Sequence, residues 1–321
     1  MVILPRVKIA CLPTPLEPLP RLSTMLGGPN LLVKRDDMTG LAFGGNKTRK
    51  LEFLIAEAQA NGAKTLLTAG AVQSNHCRQT AAAAARFGFR CILILTGDAP
   101  RIKEANTLLD SLLGAEIIWT EKEKRDEVLQ ETFKSCWENG QRPYLIPYGG
   151  SNGTGAVAYA YAFQELHQQM DSVNWVVFAS SSGGTQAGLA IGTQLVKWPG
   201  RLLGISVDQP ESALKTRVEE LIEAGVKTMN LESSIQSPSL LINDAYTGGG
   251  YAVMGKPEEE AIRLFAQQEA LLLDPVYTGR AAAGLIDLIR QGFFKKSDSV
   301  VFWHTGGTPA LFSSQYTTSL Q

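Results

Sequence analysis

The chain has 321 residues, which predicts about two domains and a substantial buried core. Thirty basic and 31 acidic side chains leave a net charge of −1, and 44% of the residues are hydrophobic. This balance is typical of a folded globular protein and disfavours nucleic acid or an anionic membrane surface as a partner.

Targeting, membrane and metal signals are weak in this sequence. Pro5 and Arg6 interrupt the first apolar residues, whereas a signal peptide needs a longer apolar core, and no run is long enough to span a membrane. The cysteines form no C-x-x-C pair, so they predict neither a zinc site nor a disulfide framework; they are Cys11, Cys77, Cys91 and Cys136. We therefore expect reduced thiols, a cytoplasmic location and no bound metal.

Apolar runs rich in β-branched residues alternate with helical patterns along the whole chain. They predict strands at residues 31–33, 65–68, 91–95, 116–119, 144–146, 175–178, 202–207 and 300–303. Helical spacing appears between them, for example at 51–60 and 81–87. This alternation predicts an α/β fold with parallel sheet covered by helices, and ligands bound at the carboxyl ends of the strands.

The first motif that could carry chemistry is Gly44-Gly45-Asn46-Lys47. Glycines permit a sharp turn, and the following residues look like a helix start, so Lys47 would stand at the beginning of a helix. It is either a solvated surface lysine or an amine held for phosphate binding or Schiff-base chemistry. A nucleotide-binding loop of the G-x-x-x-x-G-K-[ST] type fails by one residue, because Asn46 precedes the lysine.

Two further motifs follow predicted strands. Ser74 and Asn75 are good helix N-cap residues, and the amides behind them favour an anionic group, although plain capping explains them equally well. His76 beside them is typical of a hydrogen-bonded structural histidine. The small residues from Ser180 to Thr185 follow the strand at 175–178 and would form a nest of N–H groups suited to phosphate.

Hydroxyl groups recur late in the chain, in Asp274-Pro275-Val276-Tyr277-Thr278-Gly279 and in His304-Thr305-Gly306-Gly307. Each stretch lies where a predicted strand or helix ends or begins. A dinucleotide-binding oxidoreductase would need G-x-G-x-x-G after an early strand, and the sequence supplies none.

In combination these motifs resemble one family. G-G-N-K-x-R-K-L-E, Q-S-N-H-x-R-Q, D-P-V-Y-T-G and H-T-G-G-x-P-A-L are similar to the motifs of 1-aminocyclopropane-1-carboxylate deaminases and D-cysteine desulfhydrases, which depend on pyridoxal 5'-phosphate. The resemblance covers the chain from about Pro13 to Leu311. It implies the tryptophan-synthase-β-like fold (fold type II), with two open, twisted, mostly parallel sheets flanked by helices.

The resemblance also implies a domain division and an assembly. Residues 53–161 would form a small domain, and residues 1–52 with 162–321 would form a large domain that binds the cofactor. The active site would lie between the two domains and close on substrate. Members of this fold type are usually homodimers, so we expect a homodimer that acts on a small amino acid.

Residue roles are carried over only onto the matching motifs. Lys47 would bond to pyridoxal 5'-phosphate and then move the α-proton of the substrate. Lys50, on the same helix face, would reach toward the cofactor phosphate. Asn75 would bind the ring hydroxyl, while Ser74 and neighbouring amides would receive the substrate carboxylate, with His76 close to the substrate.

The same comparison assigns the phosphate and the substrate face of the cofactor. The phosphate would lie in the glycine-rich loop, formed by Ser182, Gly183, Gly184 and Thr185. Tyr277 and Tyr251 would line the substrate face of the ring and act in catalysis. Cyclopropane-opening members carry a glutamate after the tyrosine, where this chain has Thr278, with a second hydroxyl at Thr305.

A neutral hydroxyl would not hold a proton on the ring nitrogen, so the electron sink would be weaker. That favours β-elimination from D-cysteine to pyruvate, hydrogen sulfide and ammonia over 1-aminocyclopropane-1-carboxylate deamination. An L-cysteate sulfo-lyase remains an alternative, with Arg280 or His76 as candidate sulfonate partners. A non-catalytic relative that only binds the cofactor is a further alternative, and the leaving group and enantiomer stay open.

Overall fold

The computed structural model describes residues 4–170, 172–231 and 240–321. Its strands are β1 (Leu16–Pro18), β2 (Asn30–Arg35), β3 (Thr65–Ala71), β4 (Arg90–Thr96), β5 (Glu116–Thr120), β6 (Pro143–Leu145), β7 (Trp175–Ser180), β8 (Arg201–Ser206), β9 (Leu241–Asn243) and β10 (Ser299–His304). All eight predicted strands are present. The three-residue strands β1 and β9 were not predicted.

Helices occupy the connections between these strands. They are α1 (Pro20–Leu26), α2 (Asn46–Ala60), α3 (Asn75–Phe87), α4 (Ala105–Leu112), α5 (Arg125–Glu138), α6 (Gly153–Gln169), α7 (Gly184–Leu195), α8 (Glu211–Thr228), α9 (Lys256–Glu269), α10 (Thr278–Arg290) and α11 (Ser314–Leu320). In the part of the chain that the structure describes, no helix combines the length and the apolar character needed to cross a bilayer.

The strands form two separate sheets. The larger has the order β1-β2-β10-β7-β8-β9, and all its pairs are parallel except β1 with β2. The smaller has the order β5-β4-β3-β6 and is parallel throughout. The predicted α/β class with two mostly parallel sheets flanked by helices is therefore confirmed.

Both faces of the large sheet are buried against helices. Along β10, Val300 and Phe302 pack into one core with α1, α9 and α10, whereas Val301 and Trp303 pack into the other with α6, α7 and α8. This alternation follows from the two-residue period of a strand, and helices on both faces explain why β10 is apolar at every one of these positions.

The smaller sheet, formed by β3 to β6, lies within the predicted small domain of residues 53–161. The predicted boundary between residues 161 and 162 falls inside α6, whose apolar residues Ala156 and Phe163 belong to the core of the large sheet. The division into 53–161 against 1–52 with 162–321 stays a prediction.

A buried ionic cluster fixes α2 to the large sheet. Arg49 on α2 donates to both carboxylate oxygens of Asp36, at 2.8 to 3.0 Å, and to Glu165 on α6. Tyr159 donates to Asp36 at 2.5 Å, and Lys34 donates to Glu165 at 2.6 Å. Burial alone would raise the pKa of Asp36, but the charge and hydrogen bonds of Arg49 outweigh burial and lower it.

Candidate active site

A cavity lies between the two sheets, at the carboxyl ends of β3, β7 and β10. Three segments that follow these strands line it, namely residues 74–76, 180–183 and 305–306. Lys47 enters from the first turn of α2, and Tyr277 enters from the residue before α10. The cavity is therefore at the place where a parallel α/β sheet presents its helix N-termini and loops to a ligand.

Most of the predicted site residues meet in this cavity. Those lining it are Lys47, Ser74, Asn75, His76, Ser182, Gly183, Thr185, Tyr277 and Thr305. Four others do not line it: Lys50, Gly184, Tyr251 and Thr278. Ser180 and Ser181 of the predicted phosphate nest also line it. The cavity walls include further residues to which the sequence analysis gave no role: Asn46, Tyr148, Gly149, Ala179 and Gly306.

Lys47 is the second residue of α2, two positions after the Gly44-Gly45 turn. Gly45 has φ +121°, a conformation that only glycine adopts readily, and Asn46 N–H donates to the carbonyl of Thr305 at 2.9 Å. Removal from water lowers the pKa of Lys47 to about 8. A substantial fraction of this amine is therefore neutral and nucleophilic near physiological pH.

The rate at which the cofactor-free protein binds pyridoxal 5'-phosphate covalently is expected to rise with pH. Because only the neutral amine of Lys47 attacks the aldehyde, a pKa of about 8 predicts a roughly tenfold increase from about pH 7 to about pH 9, and a plateau above. Rapid-mixing absorbance at the cofactor band measures this rate. A midpoint at the ordinary lysine value would contradict the lowered pKa.

Lys50 lies behind the cavity and contacts the glycine-rich loop from the inside. Its Nζ donates to the Gly149 carbonyl at 3.1 Å and to Ser151 Oγ at 3.2 Å, and Ser151 Oγ is 2.9 Å from Ser182 Oγ. A Cβ on Gly184 would lie only 2.9 Å from this Nζ. Burial first, and then the charge of Lys47, hold the pKa of Lys50 well below its usual range.

The loop before α7 is shaped for an anion. Gly183 has φ +80°, and the helix that begins at Gly184 presents its first N–H groups to the cavity. Within the described chain, the buried hydroxyl of Ser180 beside this loop has no hydrogen-bond partner, and Asn46 donates to Thr185 Oγ1 at 3.1 Å. Lys50 behind the loop adds an amine whose charged form a bound anion would stabilise, so the set fits a phosphate.

The segment after β3 holds three predicted site residues in different ways. Ser74 caps α3 by accepting from the amide of Cys77 at 3.2 Å, and Asn75 faces the cavity. His76 Nε2 lies 2.9 Å from Thr68 Oγ1, whose proton is donated to the Ile146 carbonyl, so Nε2 carries a proton.

Burial and the neighbouring lysines bear on the proposed sulfonate partners. Burial first, and then the charges of Lys47 and Lys50, hold the pKa of His76 well below its usual range, so its imidazole is neutral. Arg280 is fully buried, pairs with Glu258 at 2.8 Å and does not line the cavity. Arg280 is therefore wrong as a sulfonate partner, whereas His76 lines the cavity and its role in binding substrate stays a prediction.

Tyr277 and Tyr251 form a pair whose hydroxyl groups are 2.7 Å apart. Tyr277 lines the cavity, whereas Tyr251 stands behind it and lines a neighbouring open cleft. Burial first, and then the neighbouring tyrosine, raise the pKa of Tyr277 well above its usual value, and burial raises the pKa of Tyr251 as well. Both hydroxyl groups are therefore protonated hydrogen-bond donors in this site.

The two threonines predicted beside the ring nitrogen have different positions. Thr278 is fully buried; its hydroxyl donates to Asp274 Oδ1 at 2.7 Å and accepts from the Asp274 amide at 2.8 Å. Thr305 lines the cavity. The structure thus places Thr305 in the wall of the cavity and commits the Thr278 hydroxyl to the turn that starts α10.

Comparison with known proteins agrees with this geometry. Residues 7–306 match the model of the pyridoxal-phosphate dependent enzyme family, and the chain belongs to that family. It is 43% identical to a D-cysteine desulfhydrase of Klebsiella pneumoniae (strain 342), over 96% of each chain. The predictions of family and of pyridoxal 5'-phosphate as cofactor are confirmed.

Solved structures show the same fold. A crystal structure of a homologue of 1-aminocyclopropane-1-carboxylate deaminase aligns with a TM-score of 0.90 and 34% identity, over 99% of this chain and 95% of the other. A fungal L-serine ammonia-lyase from Rhizomucor miehei aligns with a TM-score of 0.71 and 17% identity, over 98% and 99% of the two chains.

The residues present fit the family's cofactor. Lys47 supplies a partly neutral amine in the cavity, and the start of α7 supplies an anion site with the unpartnered Ser180 hydroxyl and Lys50 beside it. Between them, the walls offer the side chains of Asn75 and Thr305. The roles of the individual residues remain predictions that variants can test.

Proposed function

We propose that this protein is a lyase that converts D-cysteine to pyruvate, hydrogen sulfide and ammonia by β-elimination, consuming one water. The observation that carries this proposal is the chemistry of the cavity wall: none of the described residues lining it is Asp or Glu. A carboxylate beside the ring nitrogen would favour strong carbanion stabilisation, which opening a cyclopropane ring requires. The similarity to a D-cysteine desulfhydrase supports the same substrate.

Residues of the chain would carry the proton transfers and orient the substrate. Pyridoxal 5'-phosphate, when bound, accepts the electron pair left at the α-carbon. Lys47 Nζ, with its lowered pKa, would remove the α-proton, because an effective base has a pKa close to the working pH. Ser74 and the amides at the start of α3 would hold the substrate carboxylate.

The tyrosine pair would serve the departing sulfur. Tyr277 presents a protonated hydroxyl to the cavity, and Tyr251 behind it can donate to Tyr277 through their shared hydrogen bond. Tyr277 would therefore supply a hydrogen bond or a proton to the leaving sulfide, and Tyr251 would keep its hydroxyl oriented.

Parallel assays of the holoenzyme test the proposal. Sulfide and pyruvate release should be fastest with D-cysteine, and β-chloro-D-alanine should also give pyruvate, because chloride is a good leaving group. L-cysteine, L-cysteate and 1-aminocyclopropane-1-carboxylate serve as comparison substrates. Turnover of the cyclopropane amino acid as fast as D-cysteine would reject the proposed role of the neutral cavity wall, and fastest turnover of L-cysteate would reject the substrate.

We also propose that the protein acts as a homodimer in the cytoplasm. The resemblance to fold type II enzymes supports the dimer, and the absence of paired cysteines among the described residues agrees with a reducing compartment. Sedimentation of the holoenzyme would give the oligomeric state, and cell fractionation would give the location.

A further inference from the structure

Asn75, which the family resemblance places at the ring of the cofactor that the proposed function requires, is held by two buried side chains. Arg78 Nη1 donates to Asn75 Oδ1 at 2.9 Å, and Asn106 Nδ2 donates to the same oxygen at 3.0 Å. Arg78 and Asn106 are both fully buried. Arg78 lies three residues along α3, whereas Asn106 comes from α4.

The three side chains form a closed network. Arg78 Nη1 also donates to Asn106 Oδ1 at 2.8 Å, and Asn106 Nδ2 also donates to the Gln73 carbonyl at 2.8 Å. Each side chain therefore fixes the rotamer of the others. Burial lowers the pKa of Arg78 to about 10, so its guanidinium remains charged at neutral pH and its hydrogen bonds are charge-assisted.

This network determines which end of the Asn75 amide reaches the cavity. An amide oxygen accepts two hydrogen bonds, and both acceptor positions of Asn75 Oδ1 are taken by Arg78 and Asn106. Its Nδ2 lies on the other side, where a Cβ on Gly307 would be 2.9 Å away, next to the wall formed by Thr305 and Gly306. Toward the cavity, Asn75 can act only as a donor.

Arg78 also supports the turn that presents Lys47. Its Nη2 donates to the Gly44 carbonyl at 3.0 Å, and Gln79 donates to the same carbonyl. Gly44 has φ +62°, so this turn adopts a conformation that most side chains disfavour. One buried guanidinium thus connects the amide on one wall of the cavity with the glycine turn on another.

We propose that Arg78, assisted by Asn106, is a positioning residue that keeps Asn75 oriented as a hydrogen-bond donor to the ring hydroxyl oxygen of the bound cofactor. This inference rests on the proposed function for the placement of the ring. A donor at that oxygen stabilises its deprotonated form. Without Arg78 the amide loses its preferred orientation, and a rotated amide would present an acceptor to the same oxygen.

Arg78→Lys is the main test, since lysine keeps the charge but cannot bridge two amide oxygens and a carbonyl in the same fork geometry. Its affinity for pyridoxal 5'-phosphate should fall by about tenfold. Its visible absorbance should move toward the form with a protonated ring oxygen, by as much as in Asn75→Ala. The absorbance spectrum of the double variant, with both Arg78→Lys and Asn75→Ala, should match that of Asn75→Ala alone, because both substitutions remove the same interaction.

Asn106→Ala is the second variant, and it should shift the spectrum in the same direction by a smaller amount. If Arg78→Lys fails to fold, the spectrum of Asn106→Ala tests whether the network orients Asn75. Arg86→Lys, an exposed arginine at the far end of α3, is the matched control and should keep the wild-type spectrum. An Arg78→Lys spectrum equal to wild type, or changes that add in the double variant, would overturn the inference.

The spectrum separates this inference from the proposed function. A wild-type protein that binds the cofactor but releases no sulfide from D-cysteine would reject the proposed function and leave the Arg78 measurement valid. If Asn75→Ala itself leaves the cofactor spectrum unchanged, the placement of Asn75 at the ring is wrong, and the role given to Arg78 is wrong with it.

Discussion

Lys47→Ala is expected to lower the rate of pyruvate release from D-cysteine by about a thousandfold or more, since it removes both the amine that bonds the cofactor and the proposed proton carrier. Lys47 is the lysine that lines the cavity, and its pKa is lowered to about 8. Borohydride treatment followed by mass spectrometry should find the reduced cofactor on this residue in wild type and no such adduct in the variant.

Two further variants give the controls for Lys47→Ala. Lys64→Ala changes an exposed lysine just before β3 and should keep wild-type turnover. Lys47→Arg keeps a positive charge but supplies no neutral amine, so it should be as inactive as the alanine variant. Turnover in Lys47→Ala comparable to wild type would reject the assignment of this lysine.

Arg49→Met is expected to lower the free energy of unfolding by about 3–5 kcal/mol, because it leaves Asp36 buried without its cation. Asp36 is fully buried and receives three hydrogen bonds from Arg49. Since Asp36 has a lower pKa in the folded protein, its contribution is present above the unfolded value of about 3.9. It is lost as the pH falls through the folded value.

Urea unfolding followed by circular dichroism measures the effect of Arg49→Met. Arg90→Met is the matched control. Arg90 pairs with Glu116 at 2.6 Å, but both side chains are substantially exposed. Its substitution should therefore lower the free energy of unfolding by only about 0–1 kcal/mol. If Arg49→Met and Arg90→Met lowered the free energy of unfolding equally, the buried cluster would not stabilise the fold more than an exposed ion pair. Because Arg49 lies two residues after Lys47 on α2, its loss should also weaken cofactor binding.

Buried parallel strands explain why the sequence predicted both the strands and the motifs that line the cavity. Parallel strands covered on both faces carry unbroken apolar runs, as at residues 175–179 and 300–303, so they stand out in the sequence. Their carboxyl ends lie at one edge of a sheet. Ser182 and Thr305, which follow two strands of the large sheet, therefore line one cavity. Ser74, which follows β3 of the smaller sheet, lines the same cavity from the other sheet.

The sequence did not predict which segments distant in the chain contact one another at the cavity. Tyr148 and Gly149 line the cavity because the segment after β6 reaches the loop before α7. The glycine pair at 149 and 150 after a predicted strand was the available signal. Arg78, one helical turn after Asn75, was also visible, but its second partner, Asn106, comes from another helix.

Thr278 shows how local turn chemistry can override a motif. The sequence places it one residue after Tyr277, where the resemblance implied a contact with the cofactor. In the structure Asp274 accepts from the amides of Val276, Tyr277 and Thr278 as well as from the Thr278 hydroxyl. A carboxylate that caps the start of α10 thus holds this hydroxyl away from the cavity.

The outer strands of the large sheet limit how two copies of the chain can associate. β1 and β9 expose only three residues each, and β1 ends in Pro18, which has no N–H to donate. Such truncated borders resist the edge-to-edge growth that joins sheets into ribbons or fibrils. A symmetric pair of subunits would therefore bury helix and loop surfaces around the large sheet, and that sheet would not continue across the molecular twofold axis.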